Sequence, residues 1–158
     1  MNRPRFGVRP AADDDRLALA EIMSVVAEER DKIATEPPVD IEARAAAFDL
    51  EGSFVAVADG TVIGSINVRP HRWGFGAIGM LVVPDWRSRG VGSALLAEAV
   101  AWARVQGLHK LSLEVFPGNI AAIGLYRKFG FVEEGCRVKH IRRTSGELWD
   151  VVEMGLLL

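Results

Sequence analysis

Residues 80–103 read MLVVPDWRSRGVGSALLAEAVAWA. An apolar run stops at Pro84. A turn follows that carries Arg87, Arg89, Gly90 and Gly92, and then Val91, Leu95, Ala99 and Trp102 recur at the spacing of one helical face. The pattern predicts a strand, a glycine turn and a helix. A helix start leaves about four N–H groups without intrahelical acceptors, and the helix dipole makes that end attractive to anions. Because Gly90 and Gly92 lack β-carbons, a diphosphate can approach the main chain there. Arg87 and Arg89 add positive charge at the rim. An exposed charge at a helix end gains only ~0.3–1 kcal/mol, so several amides have to act together.

The rest of the chain reads outward from this turn. RFGVR (5–9) predicts a first strand ended by Pro10, and DDDRLALAEIMSVVAEER a helix with Leu19, Ile22, Met23 and Val26 on one face and acids in its first turn. Pro37 and Pro38 break the chain, and Asp40 caps a short second helix to about Leu50. Asp59-Gly60 lies between two β-rich runs and predicts a hairpin. HRWG (71–74) predicts a turn before the buried strand ending at Val83. After the helix at 91–106 come a strand (109–116) and a helix capped by Asn119. Gly130 stops that helix, with Phe131 folding back. FVEEGCRVKHI and ELWDVVEMGLLL form two last strands around Ser145-Gly146. The helical crossover makes the strands at 76–83 and 109–116 parallel. The expected architecture is α/β: a mixed, mostly antiparallel sheet of about seven strands with helices on both faces, in one domain over residues 1–158.

Composition narrows the function. The chain has 158 residues, 49% hydrophobic and 25% charged, with a formal net charge of −2. These values suit one globular domain and do not suit a nucleic-acid binder. The start lacks the apolar core of a signal peptide, and the run AIGMLVV is too short to span a bilayer, so no membrane insertion is expected. One cysteine, Cys136, allows no intrachain disulfide and fits a reducing, cytoplasmic setting. His71, His109 and His140 show no metal-ligand spacing, so no metal is expected. Cys136 has no reactive signature around it and reads as a small core residue. Glu28, Glu29, Asp31, Glu36 and Asp40 read as a solvated helix face, with attraction of a cationic amine as the alternative.

Three readings of the glycine turn compete. One is a plain loop-to-helix turn. A second is a nicotinamide dinucleotide site, since Gly90-x-Gly92 precedes a helix and Glu114 lies about where a ribose-binding acid belongs. The third glycine position is Leu95, however, and the strand ends at Val83, seven residues before Gly90, whereas the dinucleotide turn is tight. A phosphate loop of the ATP-hydrolase type lacks its Gly-Lys-Ser/Thr. The third reading is a pyrophosphate site of another kind.

On that reading, residues 80–103 resemble the Arg/Gln-x-x-Gly-x-Gly/Ala motif of the GCN5-related N-acetyltransferase (GNAT) superfamily. LSLEVFPGNIAAIGLYRKFGF (111–131) resembles that superfamily's second cofactor region. The similarity is greatest to the ribosomal-protein N-terminal alanine acetyltransferase subgroup and covers about Gly76 to Phe131. It implies a sheet whose central parallel strands splay around acetyl-CoA. The main chain of Met80, Leu81 and Val82 would pair with the pantetheine arm. The segment Arg87, Ser88, Arg89, Gly90, Val91, Gly92 and Ser93 would face the pyrophosphate, and Asn119 would contact the cofactor. It implies Tyr126 as general acid and Glu114 as general base. Tyr126 lies seven residues after Asn119, on the same helical face and about 10 Å along it. A phenol with a pKa near ~10 keeps its proton at neutral pH; the alternative is a structural buried tyrosine. A glutamate near ~4.3 is a poor base for an ammonium unless burial raises it or a water relays the proton; the alternative is a glutamate paired with an arginine.

The chain departs from the subgroup in two places. RVKHIRRTSGELWD stands where that subgroup carries a tyrosine-bearing aromatic segment, and EERDKIATEPPVDIEAR differs as well. Both segments wall the acceptor side in this fold. The resemblance therefore implies acetyl transfer to a primary amine of unspecified identity, small molecule or protein N-terminus. A cofactor-sensing module of the same fold is the alternative. Dimerisation is common in the family, and no interface for a homodimer is legible here.

Overall fold

The computed structural model describes residues 5–158. In chain order its elements are β1 (Gly7–Pro10), α1 (Arg16–Ala27), α2 (Ile41–Ala47), β2 (Ser53–Ala58), β3 (Thr61–Pro70) and β4 (Phe75–Val82). There follow α3 (Val91–Val105), β5 (Lys110–Val115), α4 (Ile120–Lys128), β6 (Val132–Arg142) and β7 (Leu148–Leu157). The strands form one seven-stranded sheet in the order β1-β2-β3-β4-β5-β7-β6. Neighbouring pairs are antiparallel except β4–β5, the pair joined by the α3 crossover.

Local chemistry accounts for the boundaries. Asp59 (φ 48°) and Gly60 (φ 76°) are both left-handed, the backbone that a tight hairpin between twisted strands requires. Asp40 caps α2 by accepting from the Ala43 amide at 3.0 Å. That helix ends at Ala47 rather than near Leu50, because Phe48 turns extended and its carbonyl accepts from Arg16 at 2.6 Å. Gly130 (φ 95°) ends α4. The Phe131 amide bonds to the Tyr126 carbonyl and the Gly130 amide to that of Arg127, leaving few orphan carbonyls at the helix end.

Each sheet face has its own core. On one face α3 and α4 cover Ile66, Val68, Ile78, Leu111, Leu113 and Met154, with Leu95, Leu96, Tyr126 and Phe131 packed among them. On the other, Leu19 and Ile22 of α1 pack on Val55 and Val62, with Leu81 alongside. Residues alternate between faces along a strand. Ser112, the partner of Ala77, and Glu114 therefore share the α1 face. Here α1 packs against β3 and β4.

The acids near α1 differ from the solvated face expected. The helix stops at Ala27, before any of the five. Glu29 holds Arg87, Glu36 accepts from the Thr144 amide at 2.8 Å and its hydroxyl at 2.9 Å, and Asp40 caps α2. Ahead of the helix, Asp15 is buried beneath a two-bond contact from Arg9 at 2.7 and 2.9 Å. That contact and the Ala12 amide hold its carboxyl below the usual range, Arg9 giving the larger effect. Cys136 is exposed on the edge strand β6, not in the core; its neighbours Gly135 and Arg137 give the edge no apolar cover.

Candidate active site

The parallel pair β4–β5 is joined only at its start, where Phe75, Gly76 and Ala77 face Lys110, Leu111 and Ser112. Beyond Ala77 the strands part. From Ile78 to Val82, β4 keeps a ladder partner on its β3 edge alone. A gap with unpaired main chain along one wall opens in the middle of the sheet. Met80, Leu81 and Val82 lie along this unpaired stretch, and the Val82 carbonyl accepts from Arg87 Nε at 3.0 Å.

At the mouth of the gap the chain turns through Ser88 (φ 58°) and Gly90 (φ 88°), both left-handed, into α3. The first α3 amide to close a helical bond is that of Ala94, to the Gly90 carbonyl at 3.0 Å. The amides of Val91, Gly92 and Ser93 precede it and have no intrahelical acceptor. They are the main-chain donors that the sequence pattern places at this helix start.

The two glycines serve different ends. A β-carbon on Gly90 would meet nothing within 4 Å, so this position needs glycine for its left-handed backbone and its open surface. A β-carbon on Gly92 would lie 2.7 Å from Leu125 Cδ2 and 3.5 Å from Met80 Cε, so here glycine lets α3 pack against α4 and β4. Both glycines were expected to clear space for a diphosphate; the space beside Gly90 is open, whereas the absence of a β-carbon at Gly92 serves packing. Arg87 also departs from its expected place as a rim cation. Its guanidinium grips both carboxylate oxygens of Glu29, at 2.6 and 2.5 Å, besides the Val82 carbonyl. Arg89 is exposed and lies over the Trp86 ring at 5.2 Å.

Helix α4 meets the start of α3 through Leu125. Asn119 stands at the α4 N-cap, but its side chain makes no capping bond and is left for another partner. Tyr126 is buried against Phe131, with ring centroids 5.6 Å apart. Its hydroxyl has no hydrogen-bond partner among the described residues and is not sealed off. Burial pushes its pKa up to about 12, so the phenol keeps its proton across the physiological range.

Glu114 does not occupy the buried setting considered above. It is half-exposed and pairs with Arg137 of β6 at 3.4 Å. Its direct cross-strand neighbour on β7 is Glu153, which Arg137 also contacts, at 2.5 Å. Sequence reasoning missed Arg137, Glu153 and the wall behind them. Arg143, two residues before the Ser145-Gly146 turn, is buried. It donates to the carbonyls of Arg30 (2.8 Å) and Ala34 (2.9 Å) and lies 4.3 Å over Trp149, tying the loop after α1 to the β6–β7 hairpin. Beside it an open cavity of about 430 Å³ is lined by Asp31, Phe116, Trp149 and Asp150. The motif RRTSGELW carried a weak signal, since a basic pair next to a tryptophan invites cation–π stacking.

The profile of the acetyltransferase (GNAT) family matches residues 19–131, which include β4, the glycine turn and α4. This chain belongs to the GNAT family. An L-amino acid N-acetyltransferase, AaaT, of Escherichia coli is 37% identical over 108 residues, 63% of this chain and 64% of the relative; the match thus spans just under two thirds of that protein. An L-methionine sulfoximine/L-methionine sulfone acetyltransferase of Pseudomonas aeruginosa is 34% identical over 137 residues, 80% of this chain and 79% of the relative. Among solved structures, a ribosomal-protein-alanine N-acetyltransferase from Brucella melitensis superposes with a TM-score of 0.86 at 29% identity, over 96% of this chain and 99% of its own. In fold alone, the GNAT sheet with one splayed parallel pair also matches yncA of Salmonella typhimurium, solved with its cofactor acetyl-CoA (TM-score 0.86, 23% identity, 99% and 95% coverage).

The free groups of the gap fit acetyl-CoA. The unpaired β4 edge suits an amide-bearing arm, the orphan α3 amides a diphosphate, and the Asn119 and Tyr126 side chains are uncommitted. Among the described residues no group of three or more His, Cys, Asp or Glu side chains is placed to hold a metal ion, and no helix is long and apolar enough to cross a membrane.

Proposed function

We propose that this GNAT enzyme moves the acetyl group of acetyl-CoA directly to the α-amine of a small L-amino acid or amino-acid analogue. The observation that carries the reading is the parting of β4 from β5 beside the orphan amides of α3. The acceptor class rests on the names of the relatives from Escherichia coli and Pseudomonas.

Acetyl-CoA, when bound, supplies an activated thioester carbonyl. Val91, Gly92 and Ser93, with the turn at Ser88–Gly90, hold the diphosphate through main-chain N–H groups. The β4 main chain from Met80 to Val82 orients the arm and the carbonyl as an added strand would be held. Glu114 takes the proton of the acceptor ammonium through a water, since its carboxylate is solvated and engaged by Arg137. Tyr126 donates its hydrogen bond, and at collapse its proton, to the departing sulfur. The secondary ammonium formed on attack returns a proton to the phenolate. Attack is direct. The one thiol of the chain, Cys136, pairs with Val152 in the register that places its neighbours Gly135 and Arg137 on the Glu114 face, so it faces the other way. The reaction belongs in the cytoplasm, where acetyl-CoA and reduced thiols coexist.

Calorimetry with acetyl-CoA, followed by thiol release with L-methionine sulfone, L-methionine sulfoximine and an alanine-ended peptide, tests this. Binding with release for an amino-acid analogue supports it. Binding without release for any amine would favour the cofactor-sensing module instead. Absence of binding to well-folded protein would overturn the placement of the cofactor site.

A further inference from the structure

The β6–β7 register slips between Glu133, which faces Met154, and Gly135, which faces Glu153, so Glu134 is an extra residue in β6. A bulge of this kind reverses the face that later residues of the strand present. In an unbroken register Cys136 would stand opposite Val151. With the bulge, Arg137 takes that place, on the face that carries Glu114 and Glu153. Its guanidinium then reaches Glu153 at 2.5 Å and Glu114 at 3.4 Å. Those two carboxylates oppose each other directly across the β5–β7 ladder, an arrangement that like charges disfavour. The bulge, the facing pair and the bridging cation form one unit beside the cofactor gap, and the mechanism above uses only one of its members.

We propose that Arg137 is a positioning residue for acetyl transfer: aimed by the Glu134 bulge, it bridges Glu114 and Glu153, holds the Glu114 carboxylate in place and offsets the charge that faces it. The proposal rests on the reading of Glu114 given above and extends it. The charged groups around Glu114 are Glu153 on β7 and Arg137 on β6, with His140 Nε2 3.3 Å from Arg137. Further along β5, Lys110 is engaged by Glu134 at 2.6 Å. On the β4 side of the gap Gly79 and Leu81 bring no charge. A surface ion pair of no consequence contributes little, and its loss leaves neighbouring titrations in place. A cation between two facing carboxylates behaves differently, because removing it couples their protonation.

The test is a carboxyl-carbon NMR titration of the full-length protein, assigned with E114Q and E153Q, beside pH–rate profiles of thiol release with L-methionine sulfone. R137M is expected to shift the Glu114 midpoint upward relative to wild type and to carry the acidic limb of kcat/KM with it. R137K restores most of the wild-type position, and E153Q in the R137M background cancels the shift. E153Q alone shifts the Glu114 midpoint downward, and it decides the matter if R137M does not fold. A Glu114 midpoint unmoved by either change overturns the proposal whatever the activity. If the midpoints move as expected but E114Q keeps wild-type rates at every pH, Glu114 is not the base, and Arg137 has no catalytic group to position.

Discussion

Leu125 Cδ2 on α4 stands 2.7 Å from the point a β-carbon on Gly92 would occupy. The N-terminal turn of α3 and the helix carrying Tyr126 therefore pack directly against each other at this point. Gly92→Ala is expected to cost ~1 kcal/mol, the low end of overpacking because a leucine methyl can yield. Paired with Leu125→Ala it should cost less than the sum of the two single changes. Thermal denaturation of the four proteins measures this; simple additivity would show that the helices do not meet there.

Gly90 behaves differently. Its φ of 88° is left-handed and the space around it is open. Gly90→Ala is expected to lose ~1–2 kcal/mol of stability through backbone strain. Gly90→Asn should lose less, because asparagine tolerates that conformation. Urea denaturation ranks the three proteins, and calorimetry should show weaker acetyl-CoA binding in the alanine variant than in the asparagine one.

Arg87 grips Glu29 and the Val82 carbonyl, so its function is to pin the end of β4 to the segment after α1. Arg87→Met and Glu29→Gln should each reduce stability by ~1–3 kcal/mol, with strong non-additivity in the double variant. Both should weaken acetyl-CoA binding to a similar, small extent. A large loss confined to Arg87→Met would instead make its guanidinium a diphosphate ligand.

Tyr126→Phe should lower kcat by about 10²-fold or more with acetyl-CoA affinity retained. A second consequence follows from burial. The folded-state pKa of about 12 lies above the ordinary 10.0, so folding favours the protonated phenol. Its contribution is complete below pH 10 and is lost as the pH rises toward 12. By pH 11 the wild type should have lost ~1 kcal/mol that Tyr126→Phe does not lose. Denaturation at pH 9 and 11 compares the two, and parallel curves would mean that the phenol is solvated.

Arg143 joins the loop after α1 to the β6–β7 hairpin through the Arg30 and Ala34 carbonyls. Arg143→Lys keeps the charge but not the two-pronged geometry. It should raise the acceptor KM several-fold and leave acetyl-CoA binding unchanged. Steady-state kinetics read the first and calorimetry the second, and an unchanged KM would detach this wall from the acceptor.

Much of the fold was legible because its signals are local. Asp59-Gly60, Asp40, Gly130 and the apolar stripe of α3 each act within a few residues, and each lies where the pattern places it. The free main-chain amides of the candidate site were legible for the same reason: a helix start exposes amides whatever surrounds it. What was misread depends on partners distant in the chain. Glu29 meets Arg87, Glu36 meets Thr144, and Gly92 meets Leu125. Cys136 was misplaced because the sheet order puts β6 at an edge, which its own residues do not announce.

By itself, the sequence determined the order and type of the elements, the parallel crossover and the orphan amides at the start of α3, because periodicity, caps and turn residues act over short range. Only the tertiary structure decided how far β4 and β5 stay paired, which cations are free, and that a one-residue bulge in β6 turns Arg137 onto two facing carboxylates. Those are matters of register and approach between segments remote in the chain, where a single-residue offset exchanges one face of a strand for the other.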